Sequence, residues 1–182
     1  MALTLNHALK VAILSACSLG AMGSASAFSL QGTVWDEASA RGVDPYLLYA
    51  IALAESKKTD GGDVRPWPWA VNVGGKGYWF NTRSEAERFV DRQINNGVTN
   101  MDIGLLQVNL RWNGHRVDDP KSLFDISTAV RVGADILAEA IASAPHDPAL
   151  AVGRYHHWND HNRARAYGVK VLEYRKLMTG EW

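Results

Sequence analysis

Apolar residues recur three and four apart along most of this chain, and the pattern breaks once, between residues 57 and 80. In "GTVWDEASARG", Val34, Trp35 and Ala38 keep helical spacing and Gly42 supplies a stop. Asp44 and Pro45 then read as the N-cap and first residue of a second helix, "PYLLYAIALAES". Over 57–80 the period disappears: Gly61-Gly62, Pro66 and Pro68 predict a loop, and the runs "WAVNV" and "YWF" around Gly74, Gly75 and Gly77 predict a small hairpin. Helical spacing returns in "NTRSEAERFVDRQINNG", where Thr82 and Glu85 are spaced as a capping box and Gly97 ends the helix. The stretch "DIGLLQVN", 102–109, is expected as a turn of helix. A longer helix is predicted over about 127–143 with Ile126, Val130, Leu137 and Ile141 facing inward, and a short one from Asp147-Pro148 through Tyr155. The last, over about 162–178, places Tyr167, Val171, Tyr174 and Met178 on one face. The sum is a mainly α single domain with a small β-hairpin excursion.

Composition sharpens this outline. The 182 residues suit one domain, and a hydrophobic fraction of 47% excludes a disordered chain. A formal net charge of +0 supplies no field for nucleic acid or an anionic surface, so no nucleic-acid partner is expected. Residues 1–27 are expected to be a signal peptide. Lys10 precedes an apolar run from Val11 to Met22, and Ala25, Ser26 and Ala27 form a small-x-small site, which predicts cleavage after Ala27 and a domain over 28–182. "LSAC", ending at Cys17, is the alternative, a lipoprotein signal, although only six residues separate it from Lys10. The run is shorter than the ~20 residues of a membrane span, so no membrane attachment is expected after cleavage. Cys17 is the only cysteine, and cleavage after Ala27 leaves packing, not disulfides, to stabilise the domain.

One polar residue breaks an apolar row. Positions four apart stack on a helix, so Leu47, Ile51 and Glu55 form a line flanked by Leu48 and Ala52. Glu55 either bends out to water from a fraying last turn or is held partly out of water. A carboxyl group withdrawn from water keeps its proton more tightly and can donate it at neutral pH, the requirement for a general acid in glycoside cleavage.

Further candidates lie downstream. In "GLLQVN", Gly104 removes a side chain where a ligand could approach the backbone, and the amides of Gln107 and Asn109 can hold hydroxyl and N-acetyl groups. Tyr155 shares an apolar face with Ala151 and Val152, where its hydroxyl needs a partner; Glu55 is the expected one. Asp102 reads either as a second carboxylate opposite Glu55 or as the N-cap of "IGLLQ". Asp60 and Asp63 are expected to be solvated. Trp67, Trp69, Tyr78, Trp79 and Phe80 either line a glycan groove or form a core beneath the hairpin. His157 and His161 are four apart, but Trp158 stands where a zinc-protease motif needs Glu. No metal or other cofactor is expected, and His156, His157 and His161 read as surface or cleft-edge residues. Arg163, Arg165 and Lys170 read as one solvated helical face.

Taken in order, these motifs resemble those of the soluble-type (SLT) lytic transglycosylases, which share the goose-lysozyme-like α fold. Glu55-Ser56 after "GVDPYLLYAIAL" matches the catalytic Glu-Ser at a helix end. Gly104-Leu105-Leu106-Gln107-Val108-Asn109 matches the Gly-Leu-Met-Gln motif, with Leu106 for Met. The Ala-Tyr-Asn-Ala-Gly motif is matched only at Tyr155, because Arg154, His156 and His157 replace its neighbours. The resemblance covers the expected mature chain. It implies a lysozyme-like domain that cuts peptidoglycan between N-acetylmuramic acid and N-acetylglucosamine, with the muramic 6-hydroxyl in place of water and a 1,6-anhydro product. Glu55 would be acid and then base, with Ser56, Gly104, Gln107, Asn109 and Tyr155 positioning carboxyl and substrate. The block "RPWPWAVNVGGKGYWF" resembles that of transglycosylases serving conjugation, type IV secretion and pili, which implies an exported, periplasmic or wall-associated protein with such an apparatus as partner. A hydrolytic muramidase and a non-catalytic wall-binding component remain the competing expectations.

Overall fold

The computed structural model describes residues 28–180, a mainly α domain with a small antiparallel sheet. The expected signal segment, with Cys17 and Ala27, lies outside the described residues. Val34–Arg41 forms a 3-10 helix; Trp35 and Ala38 are buried, and Gly42 ends it in the left-handed region at φ 69°. Helix α1, Pro45–Ser56, starts as expected, with the Asp44 side chain accepting from the Tyr46 N–H. Leu48, Ala50, Ile51, Ala52 and Leu53 are all buried, so α1 is enclosed on most of its circumference and serves as the axis of the core.

Two expectations between 57 and 109 are corrected. The segment expected as a loop is a hairpin, β1 (Lys57–Asp60) paired with β2 (Asp63–Pro66), reversing at Gly61 and Gly62, which adopt φ of 61° and 95°. Its strands are polar and at most half-buried, so no alternation of apolar residues announced it. The second hairpin, β3 (Ala70–Val73) and β4 (Lys76–Trp79), forms where expected, and α2 (Arg83–Asn95) begins with the Thr82–Glu85 capping box.

The stretch expected as a turn of helix is instead β5 (Met101–Ile103), a tight turn and β6 (Val108–Asn109), completing a sheet of order β4-β3-β5-β6. The turn needs left-handed backbone at Gly104 (φ 80°) and Gln107 (φ 46°), which a helix forbids. Period-two alternation then buries Met101 and Ile103 and turns Asp102 to the opposite face, in register between Asn72 and Asn109.

After the short α3 (Leu110–Asn113) comes α4 (Ile126–Ala142). Val130 and Leu137 face inward as expected, but Ile126 is exposed and Ile141 half-buried. Ala129, Gly133, Ala134 and Ala140 complete the inner face. Helix α5 (Pro148–Gly153) stops short of Tyr155, and α6 (His161–Thr179) buries Val171, Tyr174 and Met178. These two helices cross backbone against backbone. A Cβ added at Gly153 would lie 1.8 Å from the Ala164 carbonyl oxygen, and one at Gly168 1.9 Å from that of Ala149. Only glycine permits this approach, and the crossing brings both the segment after α5 and the first half of α6 against the end of α1.

Gly153→Ala is therefore expected to destabilise the domain by about 3 kcal/mol through overpacking. Urea denaturation checks this, and a change too small to measure would contradict the tight crossing.

Candidate active site

The C-terminal turn of α1 does not fray. Glu55 keeps only 10% of its side chain exposed, and its Oε1 accepts a hydrogen bond from the Tyr167 hydroxyl on α6. His156 Nδ1 lies 3.4 Å from the same oxygen, and its ring stacks on Tyr167 at 4.7 Å with 14° between planes. The expected partner, Tyr155, points elsewhere: its hydroxyl donates to the Leu106 carbonyl at 2.9 Å. Tyr167 lies on α6 and Tyr155 in the turn after α5, and the requirement that a buried phenol find a partner applies equally to both.

Ser56 and the "GLLQ" turn lock together. The Ser56 hydroxyl is buried, donates to the Leu105 carbonyl at 2.7 Å and accepts from the Trp67 N–H at 3.1 Å. Consecutive carbonyls of one turn, Leu105 and Leu106, are thus held by Ser56 at the end of α1 and by Tyr155 just beyond α5. Gly104 is not a place for a ligand: a Cβ there would meet the Leu123 carbonyl oxygen at 2.3 Å, so its expected opening to the substrate is corrected to close packing. Gln107 secures the turn by donating its side-chain N–H to the Gly104 carbonyl at 2.7 Å, which offsets a left-handed backbone costing about 1–2 kcal/mol.

Asn109 and Asp102 form a unit across the two strands. Asn109 Nδ2 donates to Asp102 Oδ1 at 2.7 Å, and Asn109 Oδ1 accepts from the Trp112 N–H, capping α3. Much of the hydrogen-bonding capacity expected to meet sugar is therefore spent on holding Asp102. The N-cap reading of Asp102 is corrected, since it sits mid-strand with its carboxylate on the cleft face.

These groups line a cleft of about 740 Å³, which includes Glu55, Asp102, Gln107, Asn109, Tyr155 and His156. Ser56 and Gly104 lie behind its wall. Charge and burial oppose each other inside. Desolvation raises the Asp102 pKa, the Asn109 hydrogen bond lowers it, and the neighbouring Glu55 raises it further. His156 is raised chiefly by its contact with Glu55, against a desolvation that lowers it. Burial and the Glu55 charge push the Tyr155 and Tyr167 hydroxyls well above the usual phenol range, so both remain donors.

The aromatic block is not part of this cleft. Trp67 is buried edge-on against Trp69, with Lys58 Nζ 3.8 Å from its ring centre, and Tyr78 and Phe80 pack on Phe89. The tryptophans at the cleft are Trp112 and Trp158, 68% and 50% exposed. Neither was singled out as a site residue from the sequence, where each lies alone among polar neighbours. Asp60 and Asp63 are exposed, as expected. Among the described residues no three His, Cys, Asp or Glu side chains are grouped to hold a metal ion. No family model, curated protein or solved structure matches the chain.

Ser56→Ala is expected to cost about 1–3 kcal/mol, because the Trp67 N–H and the Leu105 carbonyl lose a buried partner. Thermal denaturation reads the loss, and an unchanged midpoint would contradict the lock.

Proposed function

We propose that this chain is an exported peptidoglycan lytic transglycosylase with Glu55 as its acid and base. The observation that carries the reading is the placement of Glu55. It is a nearly buried carboxyl group in a cleft large enough for sugar rings, held at one oxygen by Tyr167 and His156 and leaving the other for a substrate. Glu55 protonates the leaving glycosidic oxygen as the C1–O bond breaks. It then takes the proton of the muramic 6-hydroxyl as that oxygen adds to C1. The substrate's own N-acetyl group stabilises the cationic centre, as in substrate-assisted glycosidases, so no protein nucleophile is required.

Other groups have supporting roles. Tyr155 and Ser56 fix the wall of the cleft through the Leu106 and Leu105 carbonyls, and Gln107 lines the cleft with its side-chain N–H groups held by the Gly104 and Ala70 carbonyls. Trp112 and Trp158 offer exposed flat faces to sugar rings. The resemblance of the aromatic block to that of transglycosylases from conjugation, type IV secretion and pilus systems supports local wall opening for such an apparatus as the cellular role. The same resemblance and the expected signal segment support a periplasmic or wall-associated location.

One observation favours a second reading. Asp102 lies in the same cleft and is close enough to Glu55 for each charge to act on the other, an arrangement that in a hydrolytic muramidase would orient water as the final nucleophile.

Mass spectrometry of digested peptidoglycan decides between them. Wild type is expected to release 1,6-anhydro muropeptides, lighter by one water than hydrolytic products, and Glu55→Gln to lower that release by about 100-fold or more. Reducing-end products from wild type would establish the muramidase reading. No release from wild type, or equal release from Glu55→Gln, would overturn both.

A further inference from the structure

We propose that His156 is a positioning residue that shares one proton with Glu55 and so sets the pH at which the pair loses that proton. This rests on the acid–base role assigned to Glu55 above and adds the group that governs its pH range. Two contacts place the imidazole for it, and a third fixes the carboxyl group it faces. Nδ1 faces Glu55 Oε1 at 3.4 Å, the ring lies flat on Tyr167, and Tyr167 itself donates to that same oxygen. The ring plane and the carboxyl group are therefore set by one phenol.

The charged and titratable surroundings are few. Glu55 on α1 and Asp102 on β5 favour the imidazolium, whereas Lys170 on α6 and partial burial oppose it. Tyr167 on α6 and Tyr155 on the ring's own segment stay neutral. His157, edge-on at 4.4 Å, is lowered by burial and by His156, so it yields its proton first. The balance raises His156. A raised histidine keeps its proton above its ordinary range and gives it up only as pH rises through the higher value.

Two forms of the pair hold the same number of protons. In the charged form the ring carries both N–H groups and Glu55 is a carboxylate. In the neutral form one of those protons sits on Glu55, and the ring still donates Nδ1–H to Oε1. The titration belongs to the pair, and a glycan that displaces water favours the form without separated charges. Glu55 then gives its proton to the glycosidic oxygen, which leaves with the electron pair of the C1–O bond. The muramic 6-hydroxyl bonds to C1 and returns a proton to Glu55, so the pair ends the cycle with the proton it began with.

Two readouts on the purified chain keep this inference distinct from the reading beneath it. In carbon-13 NMR of the labelled imidazoles, His156 is expected to titrate above the ordinary histidine value of 6.5 and to fall back toward it in Glu55→Gln. In peptidoglycan digestion, the loss on going from pH 6 to pH 8 is expected to be about 10-fold greater in His156→Gln than in wild type. His156→Asn repeats the test with a shorter amide, and circular dichroism at each pH confirms that the variants are folded. A ring titration indifferent to Glu55 overturns the inference while leaving the activity intact. So do equal pH losses in wild type and both variants, or folded variants inactive at both pH values. If wild type releases nothing at either pH, the Glu55 reading itself falls and this inference falls with it.

Discussion

Two consecutive backbone carbonyls hold the cleft together. Leu105 and Leu106 sit in a turn between β5 and β6; the first accepts from Ser56 at the end of α1 and the second from Tyr155 just beyond α5. The turn exists because Gly104 packs against the Leu123 carbonyl in a left-handed conformation and Gln107 ties its own side chain back to Gly104. Sheet, central helix and the α5–α6 corner thus meet on one peptide segment. Both leucines are buried, with Ser56 buried and Tyr155 half-buried beside them, so losing either donor leaves an unsatisfied carbonyl at the edge of the core.

Packing on the far side completes the enclosure. The glycine contacts between α5 and α6 let Tyr167 and His156 reach Glu55 from opposite ends of one corner. Glu55 is consequently surrounded by donors on one oxygen, while Asp102, anchored by Asn109, sets a second carboxylate on the facing sheet. Both phenols are too hard to ionise to compete for the proton, and Asp102 and His156 are the groups whose titration the Glu55 charge shifts upward.

What could be read from the chain was local. The caps at Asp44, Thr82 and Asp147, the glycine stop at Gly42 and the apolar row ending in Glu55 are all written within one or two helical turns, and each appears in the fold. The β5–β6 turn was illegible because its left-handed Gln107 contradicts ordinary residue preference. The polar strands of β1 and β2 carry no period, and the choice of Tyr167 over Tyr155 as partner depends on how closely α5 and α6 approach. Asp102 needed the strand register to show which face it takes. Trp112 and Trp158 became site candidates only when the chain placed them on the cleft, whereas the dense aromatic block around Trp67 went largely to packing.

In the proposed function a glycan strand lies in this cleft with its scissile bond against Glu55. A crystal structure of the Glu55→Gln variant with a bound muropeptide oligomer tests it most directly. The glycosidic oxygen is expected within about 3 Å of the side chain at position 55, with sugar rings against Trp112 and Trp158. A glycan seated on the hairpin surface around Trp79 and Lys58, with the cleft empty, would contradict it.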